Sequence, residues 1–238
     1  MTDKELISNY EDTRQVSDEL LNLAFNWEVT NTIKPAFANE NISGITSKDK
    51  MFMRVLVHQK FQEIFDILKF DMKDPNIIQT PYRLAKMWVN EVMSGRFNPA
   101  PSITSFENIN KYEGMCVVKA QVKSMCSHHF VPFLGTCYVG FIAEKDKKLI
   151  GLSKINRIVD WFCRRPQLQE NLSDQIAKYL IEKLGVKNIA VYIKAEHFCV
   201  KWRGANDDLA NMQSTVLYGV FKKAETRNEF LQYIGKDK

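Results

Sequence analysis

The sequence predicts an α+β fold built on an antiparallel sheet, with helices leading into it. Three observations carry this. Apolar residues before about Gly114 recur at helical spacing, and the period then changes to partial alternation. The alternating stretches come in pairs on either side of two helical stretches, in the order β-β-α-α-β-β. Paired strands flanking a helical pair point to antiparallel pairing rather than a doubly wound parallel sheet.

Residues 1–50 read as an acidic, helical but weakly patterned extension ending in the polar stretch Asn39 to Lys50. A helical region over 51–110 follows. Phe52, Val55, Phe61, Ile64, Phe65 and Leu68 predict an amphipathic helix over Met51–Lys69. Thr80-Pro81 supplies an N-cap and a proline at the first helical position, and Gly95 a left-handed stop. Residues 111–238 form the remaining domain. Met115–Met125 and Gly135–Glu144, rich in Val, Tyr and Phe, predict two strands, with Pro132 and Gly135 in their connection. Leu152, Ile155, Ile158, Val159 and Phe162 mark a helix that Pro166 interrupts. Leu168, Leu172, Ile176, Leu180 and Leu184 mark a second, closed by Gly185. Asn188–Lys201 and Ser214–Lys223 predict two more strands, and Thr226–Ile234 a terminal helix.

A chain of 238 residues can bury a substantial core without staples. No run of about eighteen apolar residues occurs, which excludes a membrane span. The polar, acidic amino end resembles neither a signal peptide nor an Arg-rich transit peptide, so a cytoplasmic location is expected. The net charge of +5 is unevenly spread. Residues 1–50 hold five basic and nine acidic side chains, and the remainder 28 basic and 19 acidic. A cationic body suits an anionic ligand, although a solvated surface has the same charge.

Five cysteines without an export signal argue for thiols or metal ligands rather than disulfides. Three of the four histidines, His128, His129 and His197, lie within three residues of a cysteine. Cys126 and His129 have the two-residue gap with which one segment grips a tetrahedral ion. About seventy residues later comes Glu196-His197-Phe198-Cys199. On a continuous strand His197 and Cys199 share a face, and Lys201 and Arg203 follow on it. Each pair alone more often means a core cysteine and a satisfied histidine. Together they make a credible zinc site, either closed by four ligands or left open for water. In either case His128 is free for proton transfer.

Two further segments stand out. In Gly151-Leu152-Ser153-Lys154-Ile155-Asn156-Arg157, Ser153 sits at a helix start, where unpaired amides favour an anion. Lys154 and Arg157 are neighbours on that helix, as a merely solvated basic face would also have them. Gln169 and Glu170 fall in the first turn of the next helix, where a carboxylate is favoured in any case. They could also read the polar edge of a purine.

These segments together resemble the GTP cyclohydrolase I family, over about residues 51–236. Thr80-Pro81-Tyr82-Arg83-Leu84-Ala85-Lys86-Met87 resembles the family's T-P-x-R-x-A-K-M, and Cys126-Ser127-His128-His129-Phe130-Val131 its C-E-H-H-F-V. Residues 150–159 resemble its I-G-L-S-K-x-x-R-I-V, and residues 165–170 its R-P-Q-x-Q-E. His197, Cys199, Arg203 and Gly204 match its x-H-x-C and R-G. The resemblance implies the tunnelling fold, a β-β-α-α-β-β unit in a ring-shaped homo-oligomer, usually a decamer of two pentamers with active sites between subunits. It implies Zn2+ held by Cys126, His129 and Cys199, with His128 and His197 transferring protons. Ser153, Lys154, Arg157 and Arg203 would hold the triphosphate, helped by Arg83 and Lys86. Gln169 and Glu170 would hold the guanine. The implied reaction opens the imidazole ring of GTP hydrolytically, releases formate and yields 7,8-dihydroneopterin triphosphate. That product begins folate-type pterin or queuosine/deazapurine biosynthesis. Ser127 departs from the family's glutamate and removes a carboxylate from this segment.

Two other readings compete. A nitrile-reducing relative of the same fold needs a nucleophilic cysteine motif and a nicotinamide cofactor, and usually lacks this Cys/His set. A zinc-stabilised nucleic-acid module predicts aromatic and basic residues interleaved on a strand, which Tyr192, Lys194, Phe198 and Trp202 offer only faintly. A zinc cytidine deaminase is disfavoured because its H-x-E and P-C-x-x-C signature is missing. Neither nucleic acid nor membrane is therefore an expected partner.

Overall fold

A computed structural model describes residues 2–236 of the chain. They form two compact units, one comprising the residues up to Phe37 and Asn41–Asn98, the other Ala38–Glu40 and everything from Pro99 onward.

The first unit is helical. α1 (Asp3–Thr13) opens on a capping box between Thr2 and Glu5, and α2 (Asp18–Thr30) on Ser17, whose hydroxyl accepts from the Leu20 amide. α3 (Ser47–Ile67) begins four residues before the expected Met51, because Thr46 and Asp49 form a second capping box. α4 (Thr80–Lys86) is capped by the Gln79 backbone, so Thr80 is the first helical residue rather than the cap. A π-helical stretch (Met87–Val92) and the short α5 (Ser94–Phe97) follow. Gly95 lies inside α5 without a positive φ, so the expected left-handed stop is not formed there; the chain leaves the helix at Asn98. Leu6, Tyr10, Leu20, Ala24, Met51, Phe52, Val55 and Tyr82 make this unit's core.

The second unit carries the sheet. β1 (Ser105–Phe106) pairs with β4 (Leu149–Ile150) as a separate two-stranded ribbon. β2 (Gly114–Cys126) and β3 (Pro132–Ala143) form a long antiparallel hairpin. α6 (Leu152–Cys163), the two-residue β5 (Pro166–Gln167) and α7 (Gln169–Leu184) come next. β6 (Ile189–His197), the one-turn α8 (Phe198–Lys201), β7 (Asn211–Leu217), a 3-10 turn (Gly219–Lys222) and α9 (Ala224–Gly235) complete the chain. The strand order is β5-β2-β3-β6-β7, antiparallel throughout except for β5, which runs parallel to the end of β2.

Alternation divides the sheet's faces. Val118, Ala120, Val122, Val139 and Val191 face α6 and α7, burying Ile155, Ile158, Val159, Leu172, Ile176 and Leu180. Tyr138 and Ala190 point the other way, to Phe221 and Phe230 of the carboxy-terminal segment. The observed order is the expected α+β, mostly antiparallel β-β-α-α-β-β, and is compatible with a tunnelling fold. No helix among the described residues is long and apolar enough to cross a membrane.

Three local expectations fail in this unit, the first being the strand expected over Ser214–Lys223, which begins at Asn211 and gives way after Leu217 to the 3-10 turn. Pro132 and Gly135 lie within β3, not in the connection, which is the tight turn at 127–131. Pro132 opens the strand, a position where a missing donor is tolerated. At Gly135 a side chain would meet the backbone of Lys194 and lie 2.6 Å from the Cα of Ala195, so glycine marks a close approach of two strands. The strand expected over Asn188–Lys201 ends at His197, where the backbone turns into α8.

Candidate metal centre and active site

The path of the second unit decides which residues meet. β2 runs to Cys126 and reverses, and β3 runs back to Ala143. α6 therefore starts at the opposite end of the sheet, where Asn156 donates to the Lys119 carbonyl, and returns toward Ser124. α7 starts beside Cys126 and leaves, and β6 comes back to end at His197 opposite Phe133. The β2–β3 turn, the start of α7 and the end of β6 thus share one end of the sheet.

In that turn the Cys126 amide donates to the Val131 carbonyl at 2.9 Å, and the Phe130 amide to the Cys126 carbonyl at 2.9 Å. Phe130 takes a left-handed φ of 54°, which a non-glycine residue adopts only when its surroundings impose it. The reversal folds His129 back over Cys126. Cys199 reaches the same point from the single turn of α8 rather than by strand alternation. The donor atoms of Cys126, His129 and Cys199 lie within 4.8 Å of one another, and no other such group of three occurs among the described residues. Lys201 instead pairs with Glu196 at 2.9 Å. Arg203, beyond the turn, donates to His129 Nε2 at 2.7 Å.

Burial pushes the Cys199 thiol up, the nearby Cys126 thiol pushes it further, and Arg203 opposes both. Of the remaining cysteines, burial raises the Cys137 thiol and pushes Cys163 up to about 12. Both are inert core groups.

His197, half-buried, stacks on Phe133 with ring centroids 4.8 Å apart and planes 8° apart. Its Nε2 lies 2.8 Å from Gln169 Oε1. Burial lowers its basicity and the charge of Glu170 partly restores it. Glu170 is exposed, whereas Gln169 is wholly buried. The Gln169 Nε2 donates to the carbonyls of Ile193 and Met212 and to Ser214 Oγ, each at 3.1 Å. His128 is exposed beside His129, ring centroids 6.2 Å apart. The Ser127 amide donates to the Gln167 carbonyl at 3.3 Å.

Ser153, Lys154 and Arg157 do not join this group. They sit at the start of α6, where Asn156 reaches the carbonyl of Lys119, a residue seven positions along β2 from Cys126, or about 24 Å of extended strand. No side chain caps that helix end, where Gly151 is the N-cap. Arg83 and Lys86 are exposed on α4 of the helical unit. Sequence reasoning missed Phe133, Ser173 and Ser214, because their places depend on strand register and on the packing of α7 against β7.

Fold and site define an α+β protein whose sheet end gathers two thiols and an imidazole able to hold a metal. The pattern of the GTP cyclohydrolase I family matches residues 57–235. The GTP cyclohydrolase 1 of Aeromonas salmonicida is 42% identical over 200 residues, covering 83% of this chain and 88% of that protein. The enzyme of the same name from Aeromonas hydrophila is 44% identical over 181 residues, covering 75% and 82%. That of Erwinia tasmaniensis is 43% identical over 195 residues, covering 81% and 87%. The chain belongs to the GTP cyclohydrolase I family of enzymes.

Proposed function

We propose that this chain converts GTP and water into formate and 7,8-dihydroneopterin triphosphate, with zinc held by Cys126, His129 and Cys199. The observation that carries the reading is the convergence of those three donors within 4.8 Å in a member of this family. The donor set fits the ion. Zinc favours thiolate and imidazole, and a tetrahedral ion with bonds of about 2.0–2.3 Å places its ligands about 3.5 Å apart, which small side-chain rotations reach here. Three protein ligands leave a coordination position open. Bound there, zinc would supply Lewis acidity and lower the pKa of a water molecule at that position.

The chain's own side chains do the rest. His197, its plane fixed by Phe133, and the exposed His128 transfer protons to and from the purine and the sugar. Glu170, exposed at the start of α7, holds the guanine. The family resemblance assigns Gln169 the same task, but its carboxamide is committed to Ile193, Met212, Ser214 and His197. Arg203, Lys154 and Arg157 supply positive charge for the triphosphate, and Ser153 offers a hydroxyl donor at a helix start. The placement of that helix start at the far end of β2 from Cys126 supports a ring-shaped homo-oligomer, a decamer of two pentamers, in which a neighbouring subunit brings its Ser153 end to this cluster. Arg83 and Lys86 assist with phosphate, and residues 111–238 are the catalytic domain. A cytoplasmic setting and an early place in pterin, folate-type or deazapurine synthesis belong to the same proposal.

Incubation with GTP, followed by mass spectrometry for formate and pterin, tests it. Both products should form in step. A folded, zinc-loaded protein yielding neither refutes the assignment.

A further inference from the structure

We propose that Gln169 is a positioning residue that holds neutral His197 in its Nε2–H tautomer, so that Nδ1 is the nitrogen that takes and returns a proton. This rests on the proton-transfer role proposed for His197.

The carboxamide's orientation follows from a chain of hydroxyls. Ser173 has one hydroxyl hydrogen, and the Gln169 carbonyl, 3.1 Å away, takes it. Ser173 Oγ must then accept from Ser214, 2.8 Å away. With its only hydrogen spent, Ser214 can only accept from the Gln169 carboxamide at 3.1 Å, which must present nitrogen there. The carbonyls of Ile193 and Met212, also at 3.1 Å, demand the same. Three acceptors thus fix Nε2 inward and turn Oε1 toward His197. In a side chain with 0% exposure, flipping the amide would set an oxygen against three acceptors.

Oε1 carries no hydrogen, and it lies 2.8 Å from His197 Nε2. Two lone pairs at that distance repel, so Nε2 must supply the hydrogen. In the neutral ring Nδ1 is left with its lone pair, and it makes no hydrogen bond among the described residues. Stacking on Phe133 fixes the ring plane. A proton taken at Nδ1 gives the imidazolium with Gln169 still accepting from Nε2–H, and the same proton leaves from Nδ1. Gln169 therefore serves the imidazole, not the purine.

Nitrogen-15 NMR of histidine-labelled, zinc-loaded protein tests this, with the His197 ring assigned by its absence in His197→Ala. At a pH where the ring is neutral, Nε2 should appear as the protonated, pyrrole-type nitrogen and Nδ1 as the bare, pyridine-type nitrogen. The reverse pattern, or two averaged signals, overturns the proposal. Gln169→Met should lower kcat about 10–100-fold while KM for GTP stays within about threefold. A raised KM with unchanged kcat would mean a purine contact and overturn it. The tautomer is read without turnover, so an inactive protein refutes the reaction and not the tautomer.

Discussion

Replacing Gly135 with alanine should loosen the sheet beside His197 and reduce both stability and turnover. Gly135 lies between Val122 of β2 and Ala195 of β6. An added Cβ would come within 2.6 Å of the Ala195 Cα and 2.7 Å of its Cβ, besides overlapping the Lys194 carbonyl. Carbon atoms pack at about 3.5–4.0 Å, so β3 and β6 must part by about 1 Å. The φ of Gly135 is not left-handed, so the cost is one of space rather than of backbone conformation. Overpacking of this kind costs about 1–3 kcal/mol. Stretching a neighbouring pair of ladder hydrogen bonds adds about 1 kcal/mol. The total of about 2–4 kcal/mol is a large share of a typical 5–15 kcal/mol. Two residues beyond Ala195 on the same face is His197, and a displacement near 1 Å there can cost about 10²-fold in rate. Urea midpoints followed by tryptophan fluorescence, with GTP turnover measured where the variant is folded, check both figures. A variant within about 0.5 kcal/mol of the parent and equally active would refute the close approach of these strands.

Other expectations are independent of that one. Cys199→Ser should lose most of its zinc by elemental analysis, whereas His197→Ala should keep zinc and lose about 10²–10⁴-fold in turnover; zinc loss as the primary effect in His197→Ala would make that histidine a ligand. In the helical unit, burial beside Tyr10 lowers His58 from the usual 6.5 to about 4. Between those values the unfolded chain binds the extra proton, so stability is full above pH 6.5 and falls by about 2–3 kcal/mol as pH drops to 4. Urea midpoints at pH 7 and 4.5 should differ less in His58→Gln than in the parent, and equal slopes would contradict the assignment.

The fold was legible where a local pattern has only one reading. The Leu152 to Phe162 spacing fixes α6 within a residue, and the left-handed Gly185, φ 63°, closes α7 as its position suggests. The capping box at Thr46 is a local Thr-x-x-Asp pattern hidden in a polar stretch with no apolar period to mark a helix, whereas the strand role of Gly135 depends on what faces it. Cys126 and His129 are a local pair and needed only a turn. The arrival of Cys199 through α8 needed the end of β6, which alternation alone does not announce. The remoteness of Ser153 from Cys126 follows from strand direction. A hairpin that turns at 127–131 and runs back to Ala143 delivers the next helix to the far end. The Gln169 network was hidden for another reason: its partners come from β6, β7 and α7, and no spacing in the chain records that register.

Two of the groups that steady Gln169, the Met212 carbonyl and the Ser214 hydroxyl, belong to β7, one of the two edge strands of the sheet. Outer strands fray at lower free energy than the centre of a sheet. Gentle warming should therefore unmoor the imidazole while the interior is still intact. Heat would silence this protein before it melts it, and amide exchange along 211–217 should quicken in step with the loss.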